Sequence, residues 1–274
     1  MKPEQIIEQL TAFAKEREQI RTVVLNGSLA NPNIQPDPYQ DVDLAFYVED
    51  VRAVAIDRSW IDTFGEVLIV QIPETDKDRH ITFLVQYVDG HRIDLTIRSV
   101  DQLESMLEVD SLSQIIFDRD HHPVVTPSDL SYRVKRPSAD EYAACWNEFW
   151  WVSLYVVKGI KRHQVLYALD HLDIMRNMLR QMMKWNIGYA TEFSVNLGKS
   201  GDGIRDHLPE ELWEMLTATY ASAELSAIED TYNRLQSLFF FCAQRVAEQG
   251  DFVFREEEAR RVRTACAILR HSND

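Results

Sequence analysis

Two aspartates one residue apart, Asp41 and Asp43, stand at the start of the segment QDVDLAFYV. Because side chains along a β-strand repeat every two residues, both carboxylates project from the same face of the predicted strand. Two like charges held roughly 7 Å apart on one face repel each other unless a cation lies between them. The pair therefore predicts a metal site, although a solvated strand face is the more ordinary interpretation of an isolated Asp-x-Asp.

A third carboxylate, Asp94, lies between apolar residues in the segment HRIDLTIRS, in the middle of another predicted strand. The strand RTVVLNGS, which precedes the paired aspartates, ends in Gly27 and Ser28. Phosphoryl transfer uses such a set. Two carboxylates hold Mg²⁺ against a triphosphate, a third lies beside the attacking hydroxyl, and a turn offers backbone N–H groups to phosphate oxygens. The turn and the third acid together favour the functional interpretation.

Alternating hydropathy predicts the elements that position these residues in the first half of the chain. A charged amphipathic helix comes first, and the strands RTVVLNGS and DVDLAFYV follow, with a proline-rich loop between them. Residues 51–63 are predicted to form a helix and EVLIVQI a strand, while HITFLVQYV and HRIDLTIRS flank Asp89-Gly90, a strong hairpin signal. Ser99 and Gln102 predict a capping box before a short helix, and QIIFD predicts a last strand.

Beyond about residue 135 the pattern becomes helical throughout. Ser138 and Glu141 have capping-box spacing in front of a long helical segment. Further helical patterns cover about residues 164–186, 209–220, 225–248 and 254–270, with Gly250 as a stop signal. The sequence thus predicts an α+β protein with two domains. Residues 1–135 form a mixed β-sheet with flanking helices, and residues 136–274 form an α-helical bundle.

Composition limits the class of protein and of partner. The 274 residues are 45% hydrophobic and 27% charged, typical of a soluble globular protein, and they contain no apolar run long enough to cross a membrane. Three separated cysteines without CxxC spacing argue against disulfides and zinc, so we expect a reducing cytoplasm. A net charge of −15 disfavours nucleic acid and attracts cationic small molecules, although an acidic surface also simply keeps a protein soluble.

The order of apolar-Gly-Ser, Asp-x-Asp and a later apolar-Asp-apolar strand resembles the nucleotidyltransferase superfamily with the polymerase-β-like fold. The segments GSLANPN, QDVDLAFYV, HRIDLTI, NEFWWVSLYVVKGI and NLGKSG resemble more closely the aminoglycoside 6-adenylyltransferases, the streptomycin-modifying branch, through most of the chain. The resemblance implies Mg²⁺-dependent transfer of AMP from ATP to a hydroxyl of an aminoglycoside. Streptomycin is the expected acceptor, pyrophosphate leaves, and the modification confers antibiotic resistance.

The resemblance also implies roles for individual residues. Gly27 and Ser28 would cradle the triphosphate, and Asp41 and Asp43 would bind Mg²⁺. Asp94 falls where relatives carry the third acid, which acts as a metal ligand or as the general base on the substrate hydroxyl. Lys199, in the helical domain that would bind substrate and nucleotide, matches a lysine directed at the nucleotide phosphates, although a solvated turn is its ordinary interpretation.

One departure from the pattern keeps other functions open. The branch usually has arginine after Gly-Ser, where this chain has Leu29. The alternatives are transfer to a protein side chain or to another small-molecule hydroxyl, and a catalytically silent protein that binds nucleotide or aminoglycoside. The expected partners are ATP and a cationic aminoglycoside, with no nucleic acid and no membrane, in a monomer or weak homodimer.

Other residues have ordinary structural interpretations. The tryptophans of NEFWW are expected to lie mainly in the bundle core rather than to form a stacking platform, and the His-His pair near residue 121 to lie in a solvated loop. Basic residues on helices are usually solvated, and acids there could bind a cationic substrate. The residues concerned are Trp146, Trp150, Trp151, His121, His122, Asp118, Asp120, Lys158, Arg176, Glu141, Glu148, Asp170 and Asp173.

Overall fold

The computed structural model describes residues 1–35, 37–74, 76–220 and 222–271, and it divides into two compact units, Met1–Ser131 and Tyr132–Asp274. The first unit is built on a six-stranded mixed sheet with the strand order β3-β4-β5-β2-β1-β6. Only β2 and β5 pair in parallel, and every other neighbouring pair is antiparallel. The strands are β1 Ile20–Asn26, β2 Val42–Val48, β3 Val67–Gln71, β4 His80–Tyr87, β5 Arg92–Ser99 and β6 Ser113–Asp118.

The two faces of this sheet are covered differently. On one face, alternate apolar residues of the central strands pack with the helices α1 Pro3–Lys15 and α2 Val51–Ile56 to form the main core of the unit. On the other face, α3 Leu103–Val109 covers the part over β1 and β2, where Leu103 clusters with Val24, Ala45 and Tyr47. We call this second face the open face. It carries the polar residues that alternate with the core residues.

The helix predicted over residues 51–63 is wrong in its second half. α2 ends at Ile56, and a separate 3-10 turn covers Ile61–Phe64. Asp57 adopts an extended backbone, and its carboxylate accepts hydrogen bonds from both the backbone N–H and the hydroxyl of Ser59. Such an Asx turn gives the backbone an alternative to the helix, and it ends α2.

The capping box predicted at Ser99 and Gln102 is also wrong. Ser99 still belongs to β5, and its N–H donates to the carbonyl of Arg79. Its side chain makes no capping hydrogen bond to the short 3-10 helix Val100–Gln102, which leads into α3. The pairing of the strand thus outweighs the local capping sequence.

The second unit is a helical bundle. Its helices are α4 Ala139–Lys161, α5 Val165–Ala190, α6 Glu210–Thr217, α7 Leu225–Gly250 and α8 Glu256–His271. The capping box of Ser138 and Glu141 is present, with both reciprocal hydrogen bonds. Gly250, predicted as the stop signal after a helix ending near residue 248, is instead the last residue of α7, and the left-handed conformation that stops the helix belongs to Asp251. The predicted α+β fold class is confirmed.

The three cysteines are free thiols, and each is buried in a helix of this bundle. Burial raises the pKa of Cys145 and of Cys242 to about 12, so both stay protonated and unreactive at neutral pH. Among the described residues, no helix combines the length and the apolar composition that crossing a bilayer requires.

Candidate active site

The register of the sheet brings the predicted acids together on the open face. Asp43 of β2 lies directly opposite Asp94 of β5 in the parallel pair, and Asn26 of β1 lies opposite Asp43 on the other side. The same line continues across all six strands. We call it the acid row, and its members in strand order from β6 to β3 are Ser113, Asn26, Asp43, Asp94, Leu84 and Gln71.

The turn after β1 is fitted closely to Asp43. Gly27 has a φ of +71°, and a Cβ atom at this position would lie 2.6 Å from the carboxylate oxygen Oδ2 of Asp43. Glycine is therefore required both for the backbone conformation and for the approach of the carboxylate. The N–H of Gly27 already donates to the carbonyl of Leu112 at 3.1 Å. Phosphate contacts at this turn would therefore come from Ser28 and the residues after it.

Arg92 is a member of the site that the sequence interpretation missed. Its Nε and Nη2 donate to the two carboxylate oxygens of Asp94 at 2.7 and 2.6 Å, and its Nη1 lies 3.3 Å from Oδ2 of Asp41. The bond to Asp94 is the main cause that raises the pKa of Arg92, and the charges of Asp41 and Asp43 raise it further. One guanidinium thus neutralises two of the three acids.

The donor set fits a hard cation that is bound together with phosphate. Within the described ranges, no group of three His, Cys, Asp or Glu side chains is placed to hold a metal ion. Mg²⁺ is, however, usually held by one or two carboxylates plus the phosphates of the substrate. Asp43 offers a carboxylate oxygen beside Gly27, and Asp41 lies beside the guanidinium of Arg92, which marks a place where positive charge is favourable.

Replacing Arg92 with Met should expose this electrostatic relation. Without the guanidinium, Asp41 and Asp94 lose their shared counter-ion, so the metal-free protein should lose roughly 1–2 kcal/mol of stability. Millimolar Mg²⁺ alone should then raise the melting temperature of Arg92→Met more than that of the wild type. Arg79→Met is the matched control, because the side chain of Arg79 is exposed and its ion-pair partner is Asp101, at 3.9 Å. An equal Mg²⁺ shift in all three proteins would contradict this account.

In the second unit, Lys199 projects from an anchored loop. It is exposed between Gly198 and Gly201, which both have positive φ, and Arg180 donates a hydrogen bond to the carbonyl of Ser200. Gly198 also lines a cavity of about 310 Å³, and three of the other lining residues are basic. Burial, and then the charge of Arg180, lower the pKa of Lys184 in its wall. The other basic residues that line the cavity are Arg133 and Lys135.

The structure separates the remaining candidates of the bundle. Trp146 and Trp150 are buried as predicted, whereas Trp151 is 59% exposed. Arg176 is buried, where it bonds Thr219 and pairs with Asp173, so it is a structural residue of the bundle. The assignments of the rest are as follows: Lys158 is exposed and lies over the ring of Tyr155, Glu141 belongs to the capping box, and Glu148 and Asp170 are exposed.

The segment with the two histidines follows β6 outside any helix or strand, with His121 exposed and His122 half-buried. His122 donates its N–H to the carboxylate of Asp118, and its ring nitrogen Nδ1 lies 3.1 Å from the same group. Asp120 pairs instead with Arg21. These pairs join the end of β6 to its own turn and to β1.

Comparison with known proteins identifies the family. Residues 1–267 match the family model described as streptomycin adenylyltransferase. The chain belongs to this family. Aminoglycoside 6-adenylyltransferases of Campylobacter jejuni and Staphylococcus aureus are 35% and 33% identical to it. These alignments span 88% and 93% of this chain and 87% and 94% of the relatives.

A third relative and a solved structure support the same family. The aminoglycoside 6-adenylyltransferase of Bacillus subtilis is 36% identical over 76% of this chain and 77% of its own length. A crystal structure of an aminoglycoside 6-adenyltransferase from Bacillus subtilis aligns with a TM-score of 0.51 and 26% identity, covering 99% of this chain and 100% of the other. This member of the streptomycin adenylyltransferase family is therefore a nucleotidyltransferase, and the identification made from its motifs is confirmed.

Proposed function

We propose that this protein transfers AMP from ATP to a hydroxyl of an aminoglycoside, with streptomycin as the acceptor, and releases pyrophosphate. The observation that carries the proposal is the acid row, in which Asp43 faces Asp94 beside the turn at Gly27. The names of the relatives support the acceptor class, and the net charge of −15 suits a polycationic acceptor. Modification of the drug would make the cell that contains this enzyme resistant.

The side chains of the site divide the work of the transfer. Asp41 and Asp43 would hold Mg²⁺, which when bound neutralises charge on the triphosphate. Asp94 accepts the proton of the acceptor hydroxyl as its oxygen bonds to the α-phosphorus, and the bond from that phosphorus to the pyrophosphate oxygen breaks. Each oxygen of Asp94 accepts one hydrogen bond from Arg92 in the free protein and keeps a further lone pair that can take the proton of the hydroxyl.

The direct test is incubation with ATP, Mg²⁺ and a panel of aminoglycosides, followed by mass measurement. Streptomycin should gain one AMP unit, and aminoglycosides that lack its streptidine ring should react poorly. Equal turnover of kanamycin-type and streptomycin-type drugs would refute the acceptor assignment. ATP binding without AMP transfer to any acceptor would favour the silent binder instead.

Lys199→Ala should raise the Michaelis constant for ATP about ten- to a hundredfold while streptomycin binding stays nearly intact. The reason is that a lysine on a partly desolvated phosphate contributes roughly 1.5–3 kcal/mol. Steady-state kinetics with each substrate varied in turn measures the effect. Lys77→Ala, at an exposed lysine of the first unit, is the control. A variant weakened only towards the drug would assign Lys199 to acceptor binding.

Leu29 serves packing at the position where the family usually has arginine. Its half-buried side chain lies against the apolar core of the first unit. A residue in that place does not offer positive charge to a nucleotide. We therefore propose that Lys199 contributes more to binding the nucleotide phosphates in this protein than it would in a relative with arginine after Gly-Ser.

A further inference from the structure

The acid row continues past the acids onto a part of the open face beyond the strands on which α3 packs. α3 packs over β1 and β2, whereas on the far side of Asp94 the row runs on through Leu84 of β4 to Gln71 of the edge strand β3. Gln71 is exposed and Leu84 is half-buried. Neighbouring strands are about 4.8 Å apart, so this strip extends about 10 Å from Asp94.

A second line of residues widens the strip. Gln86 lies opposite Arg92 on one side and opposite Ile69 on the other, one step along the strands from the acid row. Ile69 is 60% exposed, and Gln86 is exposed. We call the four residues Leu84, Gln86, Ile69 and Gln71 the edge patch.

The apolar residues exposed on the edge strand β3 need an explanation. Edge strands of soluble proteins are usually protected by lysine, proline or a covering element, because they otherwise pair with other chains. The strand β3 reads VLIVQ and has no charged residue. Ligand sites combine apolar side chains with a few polar groups, and the edge patch offers both: its amides can donate and accept hydrogen bonds, and its apolar groups can support the C–H faces of a ring.

The geometry of phosphoryl transfer relates the edge patch to the reaction. The attacking oxygen and the leaving oxygen lie roughly in line through the phosphorus. If the triphosphate is held at the turn of Gly27 and Ser28, the pyrophosphate leaves towards β1, because that turn follows β1 directly. The acceptor hydroxyl must then approach from the opposite side of the Asp43–Asp94 pair, which is the side of β4 and β3.

We propose that the edge patch is the acceptor subsite: the acceptor lies over β4 and β3, with one ring on Leu84 and Ile69, and with Gln71 and Gln86 bonded to its hydroxyl or guanidinium groups. This inference rests on the proposed function, and it adds the residues that select the acceptor. The cationic groups of the acceptor would lie near Asp94 and Asp41, at one border of the patch. In the line of residues Arg92, Gln86 and Ile69, Arg92 is the one basic residue.

Adding positive charge to the patch tests the assignment. Gln71→Lys should raise the Michaelis constant for streptomycin about tenfold or more through repulsion, and the Michaelis constant for ATP should stay unchanged. Gln71→Glu should not weaken streptomycin, and Gln86→Ala should weaken it less than Gln71→Lys does. Calorimetric binding of streptomycin to the protein without ATP or Mg²⁺ provides a readout independent of turnover, and thermal melting confirms that each variant is folded.

Gln114→Lys is the matched control, because Gln114 is an exposed glutamine on β6, the opposite edge of the same sheet. It should leave both Michaelis constants and the binding unchanged. If the wild type modifies streptomycin and Gln71→Lys behaves like Gln114→Lys, the edge patch is not the subsite and the proposed function stands. If the wild type neither binds nor modifies any aminoglycoside, the proposed function fails first, and the acceptor assignment of the patch fails with it.

Discussion

Asp43→Asn should abolish AMP transfer, by about 10³-fold or more, while the protein remains folded. The amide removes a charged ligand at the point where Mg²⁺ and the triphosphate would meet, and electrostatic stabilisation of this kind is among the largest contributions to catalysis. Asp43 also faces Asp94 directly across the β2–β5 pair, and like charges in that relation are destabilising. The melting temperature without Mg²⁺ should therefore hold or rise.

The measurement is a thermal scan paired with a transfer assay. With Mg²⁺ and ATP present, the wild type should gain stability by ligand linkage, and Asp43→Asn should gain much less. Asp62→Asn, at an exposed residue of the 3-10 turn Ile61–Phe64, is the control and should match the wild type in both assays. An Asp43→Asn protein that transfers AMP at the wild-type rate would remove the metal site and with it the mechanism.

Alternation along one strand could predict that Asp41 and Asp43 share a face, since that relation is local. It could not predict that Asp94 stands opposite Asp43, because the partner and the register of β5 depend on the whole sheet. The extension of the acid row to Leu84 and Gln71 depends on the same long-range pairing. The sequence therefore predicts which acids belong to the site, but it does not predict that they lie in one row across the sheet.

Arg92 could have been found by the same local argument. It stands two residues before Asp94, so alternation alone places both on one face, and an arginine next to an aspartate there predicts an ion pair. Its contact with Asp41 was beyond reach, because it requires β2 to lie beside β5.

The errors elsewhere also have local causes. The helix predicted over residues 51–63 failed because the carboxylate of Asp57 bonds Ser59, a competition that hydropathy does not contain. Neighbouring residues of a helix point about 100° apart, so Trp150 and Trp151 could not both face the core. Composition could not decide which of the two did, because the direction of the core depends on how the helices pack.

Asp94→Asn should lower the rate of transfer by about 10²–10⁴-fold if Asp94 is the general base, because the amide cannot take the proton of the hydroxyl. Binding of Mg²⁺ and ATP should survive, since Asp41 and Asp43 remain. Arg92 loses its bidentate partner in this variant but keeps Asp41, so the loss of stability should be modest. Equilibrium titration with ATP in the presence of Mg²⁺, beside single-turnover transfer, separates the two effects.

A double variant that combines Asp94→Asn with Arg92→Met tests the assignment of Asp94 as the general base further. If the function of Arg92 is to hold Asp94 until the acceptor arrives, then Arg92→Met should change the rate of transfer when Asp94 is present. It should have little further effect when Asp94 is replaced by Asn. The two substitutions are coupled in that case, whereas independent roles would make their effects add. Loss of Mg²⁺ and ATP binding in Asp94→Asn itself would instead make Asp94 a metal ligand. The base would then have to be sought among the acceptor's own groups or in a bound water.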